Sequence, residues 1–126
     1  MADDPYGPPP AGLAPDFATA RAAFVEAAAA AGARLAHIPH PLPGPDGASI
    51  GADLADLGPA DAPDVVLVVS GTHGVEGFAG SALQTRWLEQ RPATRPDTVR
   101  VVFLHAHNPH GFAWVRRVNE DNVDLN

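Results

Sequence analysis

The chain has 126 residues, enough for one domain with a real core and too few for two ordinary ones. Hydrophobic residues make up 45% and charged residues 18%, the balance of a globular rather than a disordered protein. The formal charge is −7, from 15 acidic against 8 basic residues with no Lys/Arg cluster, which argues against a nucleic-acid partner; the lack of cysteine removes disulfides and thiolate ligands.

No apolar run approaches the ~18 residues of a membrane span. The start, Met1-Ala2-Asp3-Asp4-Pro5, has neither the basic nor the apolar stretch of a signal peptide. The expected location is the cytoplasm, with no membrane partner.

Residues 1–15, which include Pro8-Pro9-Pro10, are expected to form an extended arm. Asp16 reads as the N-cap of a helix over roughly 17–31, with Phe17, Phe24, Val25 and Ala28 on one face and Gly32 ending it. A hairpin follows, Leu35 to His40 and Ala48 to Leu54, around the turn-rich segment 41–47. The unbroken run Val65-Val66-Leu67-Val68-Val69 predicts a central strand at 64–69 buried on both faces. A helix is expected at roughly 79–90, with Ala79, Ala82, Leu83 and Trp87 turned inward and Pro92 beyond its end. Val99 to Leu104 is a second apolar strand. Strand, helix, strand predicts a parallel pair, and in such sheets sites form beyond the carboxyl ends of the strands.

Two chemistry-bearing blocks start at those ends. The first is Ser70-Gly71-Thr72-His73-Gly74-Val75-Glu76-Gly77. A His and a Glu three apart offer neutral imidazole and carboxylate, the donors catalytic zinc commonly takes, and Gly71, Gly74 and Gly77 leave the backbone free to bring them together. A His-x-x-Glu also arises often by chance. Its place after a strand and inside a glycine-rich turn is what gives it weight. The second block, 105–126, contains Asn108-Pro109-His110-Gly111, Arg116-Arg117-Val118-Asn119 and Asp124-Leu125-Asn126. Gly-x-Ser-x-Gly is absent, so Ser70 is not a nucleophile elbow, and no Lys-Ser/Thr pair makes the glycines a phosphate loop.

From about residue 64 to 126 these motifs resemble the zinc carboxypeptidase superfamily, in a bacterial and fungal branch, with His110 standing where Asp is commoner. The resemblance implies an α/β fold, a carboxypeptidase-like mixed sheet with flanking helices, present as its amino-terminal half in residues 16–126. It implies that His73 and Glu76 bind Zn2+, and that Arg117, seven before Asp124, is catalytic and polarises the scissile carbonyl. Asn126 would help hold the substrate's terminal carboxylate, and Asp124 would order its loop. The family's third ligand and its general base would lie beyond residue 126, so a chain with these residues alone is expected to bind zinc weakly and to be inactive.

The activity implied is hydrolysis of a C-terminal peptide or peptide-like amide bond. An aspartoacylase-type deacylase acting on acyl-amino acids is the nearest alternative, and a non-catalytic remnant is an alternative of another class. His105 and His107 are expected to support or pack the site. His37, His40 and His110 are expected to be surface or loop residues, and Arg116 a solvated neighbour of Arg117.

Overall fold

A computed structural model describes residues 12–90 and 97–126. Most of the expected proline-rich arm, and Pro92, lie outside the described residues.

Asp16 has extended backbone and its carboxylate accepts the Thr19 N–H at 2.7 Å, which satisfies one of the orphan donors that open α1 (Phe17–Ala30). Gly32, at φ +77°, lets the N–H groups of Gly32 and Ala33 turn back to the carbonyls of Ala29 and Ala28, closing the helix in a Schellman motif. β1 (Arg34–Pro39) and β2 (Gly51–Leu57) pair antiparallel, so the hairpin exists, with its second strand beginning three residues later than expected. β3 (Asp64–Val69) leads into α2 (Gly77–Gln90) and then β4 (Val99–His105). β4 lies between β2 and β3, antiparallel to the first and parallel to the second, giving one mixed sheet in the order β1-β2-β4-β3. A single turn, α3 (Pro109–Ala113), follows β4.

Both long helices lie on one face of this sheet. Phe24, Ala27 and Ala28 of α1 and Leu88 of α2 bury against Ala55, Val101 and Phe103. A second cluster joins Phe17 and Ala20 to Ile50, Ala106 and Phe112 under the carboxyl ends of the strands. Bridging the two, the buried His105 ring stacks on Phe24 with centroids 4.5 Å apart.

Two expectations are corrected. β3 is not buried on both faces: it is an edge strand, and Val65 and Leu67 are 56% and 59% exposed. The register puts Val65, Leu67 and Val69 on the side of Val102 and Leu104, opposite the helices. That side has no helix against it among the described residues. α2 also buries a face only partly as expected: Trp87 packs against the core, but the rest of the stripe is shifted. It buries Gly77, Ser81, Gln84 and Leu88, and leaves Leu83 74% exposed. The reason lies at the strand ends, where polar groups need partners more than the core needs another leucine. Gln84 accepts from the Ser70 hydroxyl at 2.9 Å and donates to the Val68 carbonyl, while Ser81 shares a 2.8 Å hydrogen bond with His105.

No helix among the described residues is long and apolar enough to cross a membrane.

Candidate functional site

The parallel pairing of β3 and β4 sends the 70–77 and 105–126 segments out at the same end of the sheet. Backbone bonds then knit them together: the N–H groups of His107 and Asn108 donate to the carbonyls of Ser70 and Gly71, and Gly74 N–H donates to Arg116 O. Gly71, at φ +70°, is the one glycine of the first block that needs its conformational freedom. Gly74 and Gly77 serve close approach instead of flexibility. A Cβ on Gly74 would collide with the Gly111 carbonyl, and one on Gly77 with the Phe112 ring. Asn108, 1% exposed, caps α3 by accepting the Gly111 N–H at 2.8 Å.

This scaffold sets His73 between two carboxylates. Its Nε2–H donates to Asp124 Oδ1 at 2.8 Å, across 51 residues of chain, and its Nδ1 faces Glu76 Oε1 at 3.8 Å. The His73 side chain is 16% exposed and that of Glu76 64%. Asp124 also accepts from Arg117 Nε at 3.2 Å and from the Asn126 N–H at 3.0 Å. The Asn126 amide first, then the His73 ring, hold its carboxyl down at about 2, so Asp124 is an anion at any neutral pH. Arg117, His73 and Asp124 thus meet. Arg116 turns away to Asn122 Oδ1 at 2.9 Å. Asn126 approaches the group through its backbone.

The donor set fits a zinc ion in kind but is short in number. One imidazole nitrogen and one carboxylate face each other, and the far ring nitrogen is held by a second carboxylate, as a metal-ligating histidine usually is. Among the described residues, no three His, Asp or Glu side chains group closely enough to hold a metal ion.

The remaining histidines follow expectation only in part. His105 is core, 0% exposed, with no hydrogen-bond partner for Nδ1 among the described residues, and burial pushes its pKa down to about 4. His107 is exposed, 3.2 Å from the Thr72 hydroxyl. His37 is exposed and His40 lies in the loop after β1, as expected, but both have carboxylate partners, and His110 is buried in α3. His37 bonds Asp53 at 2.8 Å, His40 bonds Glu120 at 3.1 Å, and His110 is buried against Trp114. These partners sit 16 and 80 residues away for the first two, so no local spacing announces them.

A family model described as Protein of unknown function (DUF2817) matches residues 13–126, nearly the whole chain, and the protein belongs to that family. This overturns the resemblance to the zinc carboxypeptidase superfamily. That resemblance rested on short motifs between about 64 and 126, whereas the family match also takes in α1 and the hairpin. No curated protein matches the sequence.

Among solved structures, the glutaminyl cyclase of Tannerella forsythia is similar with a TM-score of 0.52 and 13% identity, over 90% of this chain and 47% of that one. The glutaminyl cyclase of Fimbriiglobus ruber is similar with a TM-score of 0.51 and 14% identity, over 74% of this chain and 38% of that one. At such identities the likeness is one of fold. The chain spans less than half the length of either structure.

Proposed function

We propose that this chain carries part of a zinc-assisted site for chemistry at an amide carbonyl, hydrolysing a peptide-like or acyl-amino-acid amide. The observation that carries this reading is the division of the His73 ring, with Nε2 tied to Asp124 at 2.8 Å and Nδ1 facing Glu76 at 3.8 Å. A hydrogen-bonded imidazole whose other nitrogen points at a carboxylate is a ligand already oriented.

His73 and Glu76 would hold the ion, which when bound supplies Lewis acidity and a more acidic water. Asp124 fixes the tautomer of His73 and raises the basicity of Nδ1. Arg117, whose side chain is 60% exposed, spends one N–H on Asp124 and keeps others for a carbonyl oxygen gathering negative charge. Asn126, beside them, would bond a substrate carboxylate through its side chain.

A second reading, cyclisation of a glutaminyl group by attack of its own amine with release of ammonia, is favoured by the two solved structures described as glutaminyl cyclases. A panel of a glutaminyl peptide, a peptide with a free terminal carboxylate and an N-acyl amino acid separates the two, read by ammonia release against amide cleavage.

Zinc calorimetry tests the site itself. Weak binding is expected, lost in His73→Ala and reduced about 10–100-fold in Asp124→Ala. Unchanged affinity in His73→Ala would remove the assignment. In the active enzyme, Arg117→Ala is expected to lower kcat by about 10²–10³, the scale of one preorganised oxyanion donor, while Arg116→Ala leaves it nearly unchanged.

A further inference from the structure

The candidate site depends on a segment that forms no helix or strand. Residues 116–124 carry Arg117 and Asp124, and Asp124 in turn holds the His73 ring. The segment shapes itself through Asn119, whose side-chain oxygen accepts the N–H groups of Asp121 and Val123. Local bonds of that kind set a loop's form and leave its position undetermined. Position comes from contacts with the rest of the fold. On one side, Arg116 O accepts from Gly74 and Asp124 accepts from His73. On the other, Glu120 meets His40 at the end of the hairpin's first strand.

We propose that His40 and Glu120 are positioning residues, a latch that fixes the 116–124 segment to the β1–β2 hairpin and so places Arg117 and Asp124 relative to His73 and Glu76. The functional meaning of the latch rests on the reading of that site given above; its existence does not.

Three observations support it. First, the 3.1 Å bond between His40 Nε2 and Glu120 Oε1 spans 80 residues and is sheltered, the two side chains being 11% and 25% exposed against 60% for Arg117. Sheltered bonds to an ionised group are worth more than exposed ones, because water competes less. Glu120 is such an ion, its carboxyl held below the usual range by its own amide N–H and further by His40.

Second, the donor is pre-set. The Leu42 N–H, which can only donate, points at His40 Nδ1 at 3.1 Å, although the Leu42 carbonyl also lies 3.2 Å away. The neutral ring therefore carries its proton on Nε2, facing Glu120. Third, neighbouring rings hold His40 in place. His110 lies beside it with centroids 5.8 Å apart, and Trp114 stacks on His110 while donating its indole N–H to the Pro43 carbonyl at 3.3 Å.

The test uses the 126-residue chain without metal. It reads amide hydrogen exchange at Asn122 and Val123 together with the 15N imidazole signals of His73. Glu120→Ala and His40→Ala are each expected to speed exchange at Val123 by about tenfold or more, the scale of one lost charge-assisted hydrogen bond. Both should move His73 from a single tautomer toward a mixture, while amides in β2 and β4 keep their protection. Glu120→Gln, whose amide oxygen still accepts from His40, is expected to restore most of both signals. Wild-type exchange and a wild-type His73 signal in Glu120→Ala would overturn the latch, and so would equal loss of protection in β2 and β4, which marks a merely structural pair. Zinc calorimetry on the same proteins judges the metal reading separately, since failure of the wild type to bind zinc leaves the latch measurements standing.

Discussion

Val115 sits in the left-handed region at φ +52°, a conformation that is costly for a β-branched side chain. It occupies the place in the α3 terminus that Gly32 occupies in α1. The Val115 N–H returns to Phe112 O and the Arg116 N–H to Gly111 O, again a Schellman closure. The side chain is 58% exposed, so little packing offsets the strain. Val115→Gly is therefore expected to raise stability by about 1 kcal/mol, with glycine's greater unfolded-state entropy limiting the gain. Urea unfolding measures it, and a destabilised variant would show that the valine contributes packing the exposure hides. The carbonyl of the next residue, Arg116, accepts the Gly74 N–H at 3.2 Å, so the turn leads directly to Arg117.

At the scale of elements, the buried face of α2 shows how polar groups choose a helix's orientation. Ser81 and Gln84 lie on the Gly77–Leu88 stripe because the ends of β3 and β4 leave a serine hydroxyl, backbone carbonyls and a histidine nitrogen to be satisfied. His105 is where this arrangement meets pH. Its folded pKa is pushed down to about 4 by burial, from an ordinary 6.5. The unfolded chain therefore takes up a proton there as pH falls below 6.5, and the folded chain does not. The stability from keeping His105 neutral is whole above pH 6.5 and drains away as pH falls toward 4. His105→Gln is expected to flatten that part of the stability profile, as read from urea midpoints at pH 7 and pH 4.5. Equal slopes in the two proteins would mean that another group carries the effect.

For the whole molecule, the dominant fact is an apolar sheet face with no helix against it among the described residues. Ile38 on β1 and Val65, Leu67 and Val69 on β3 are 43–59% exposed, and these two edge strands offer unpaired backbone groups. The 126-residue chain is expected to self-associate as its concentration rises. Leu67→Lys, on that face, should restore monomers in sedimentation velocity. A wild-type chain that stays monomeric at hundred-micromolar concentration would mean that the face is protected. On the same face, in register with Val65 and Leu67, Asp56 accepts two bonds from Arg100, at 2.8 and 2.7 Å, and two from Arg34, at 3.0 and 3.3 Å. The exposed face thus carries an ionic cluster beside its apolar residues.

The sequence by itself determined what depends on neighbours along the chain. Asp16 caps α1 and Gly32 ends it because each acts on backbone groups within a few residues. The apolar runs around 65–69 and 99–104 became strands because their β-branched residues suit a pleated, half-buried surface. The His73–Glu76 pair and the Asn108-Pro109-His110-Gly111 segment were legible because each lies within a few residues of the chain. The resemblance drawn from those motifs pointed to another family, since short motifs are shared more widely than a match over residues 13–126.

Only the tertiary structure decided what depends on distant partners. An unbroken apolar run cannot say whether its strand will be central or at an edge, because the run is the same and only the neighbours differ. The inward face of α2 was fixed by polar groups on two strands that its own periodicity does not contain. The tie from His73 to Asp124 spans 51 residues and that from His40 to Glu120 spans 80. Hydrogen bonds form between atoms that folding brings within about 3 Å, whatever their separation in the chain.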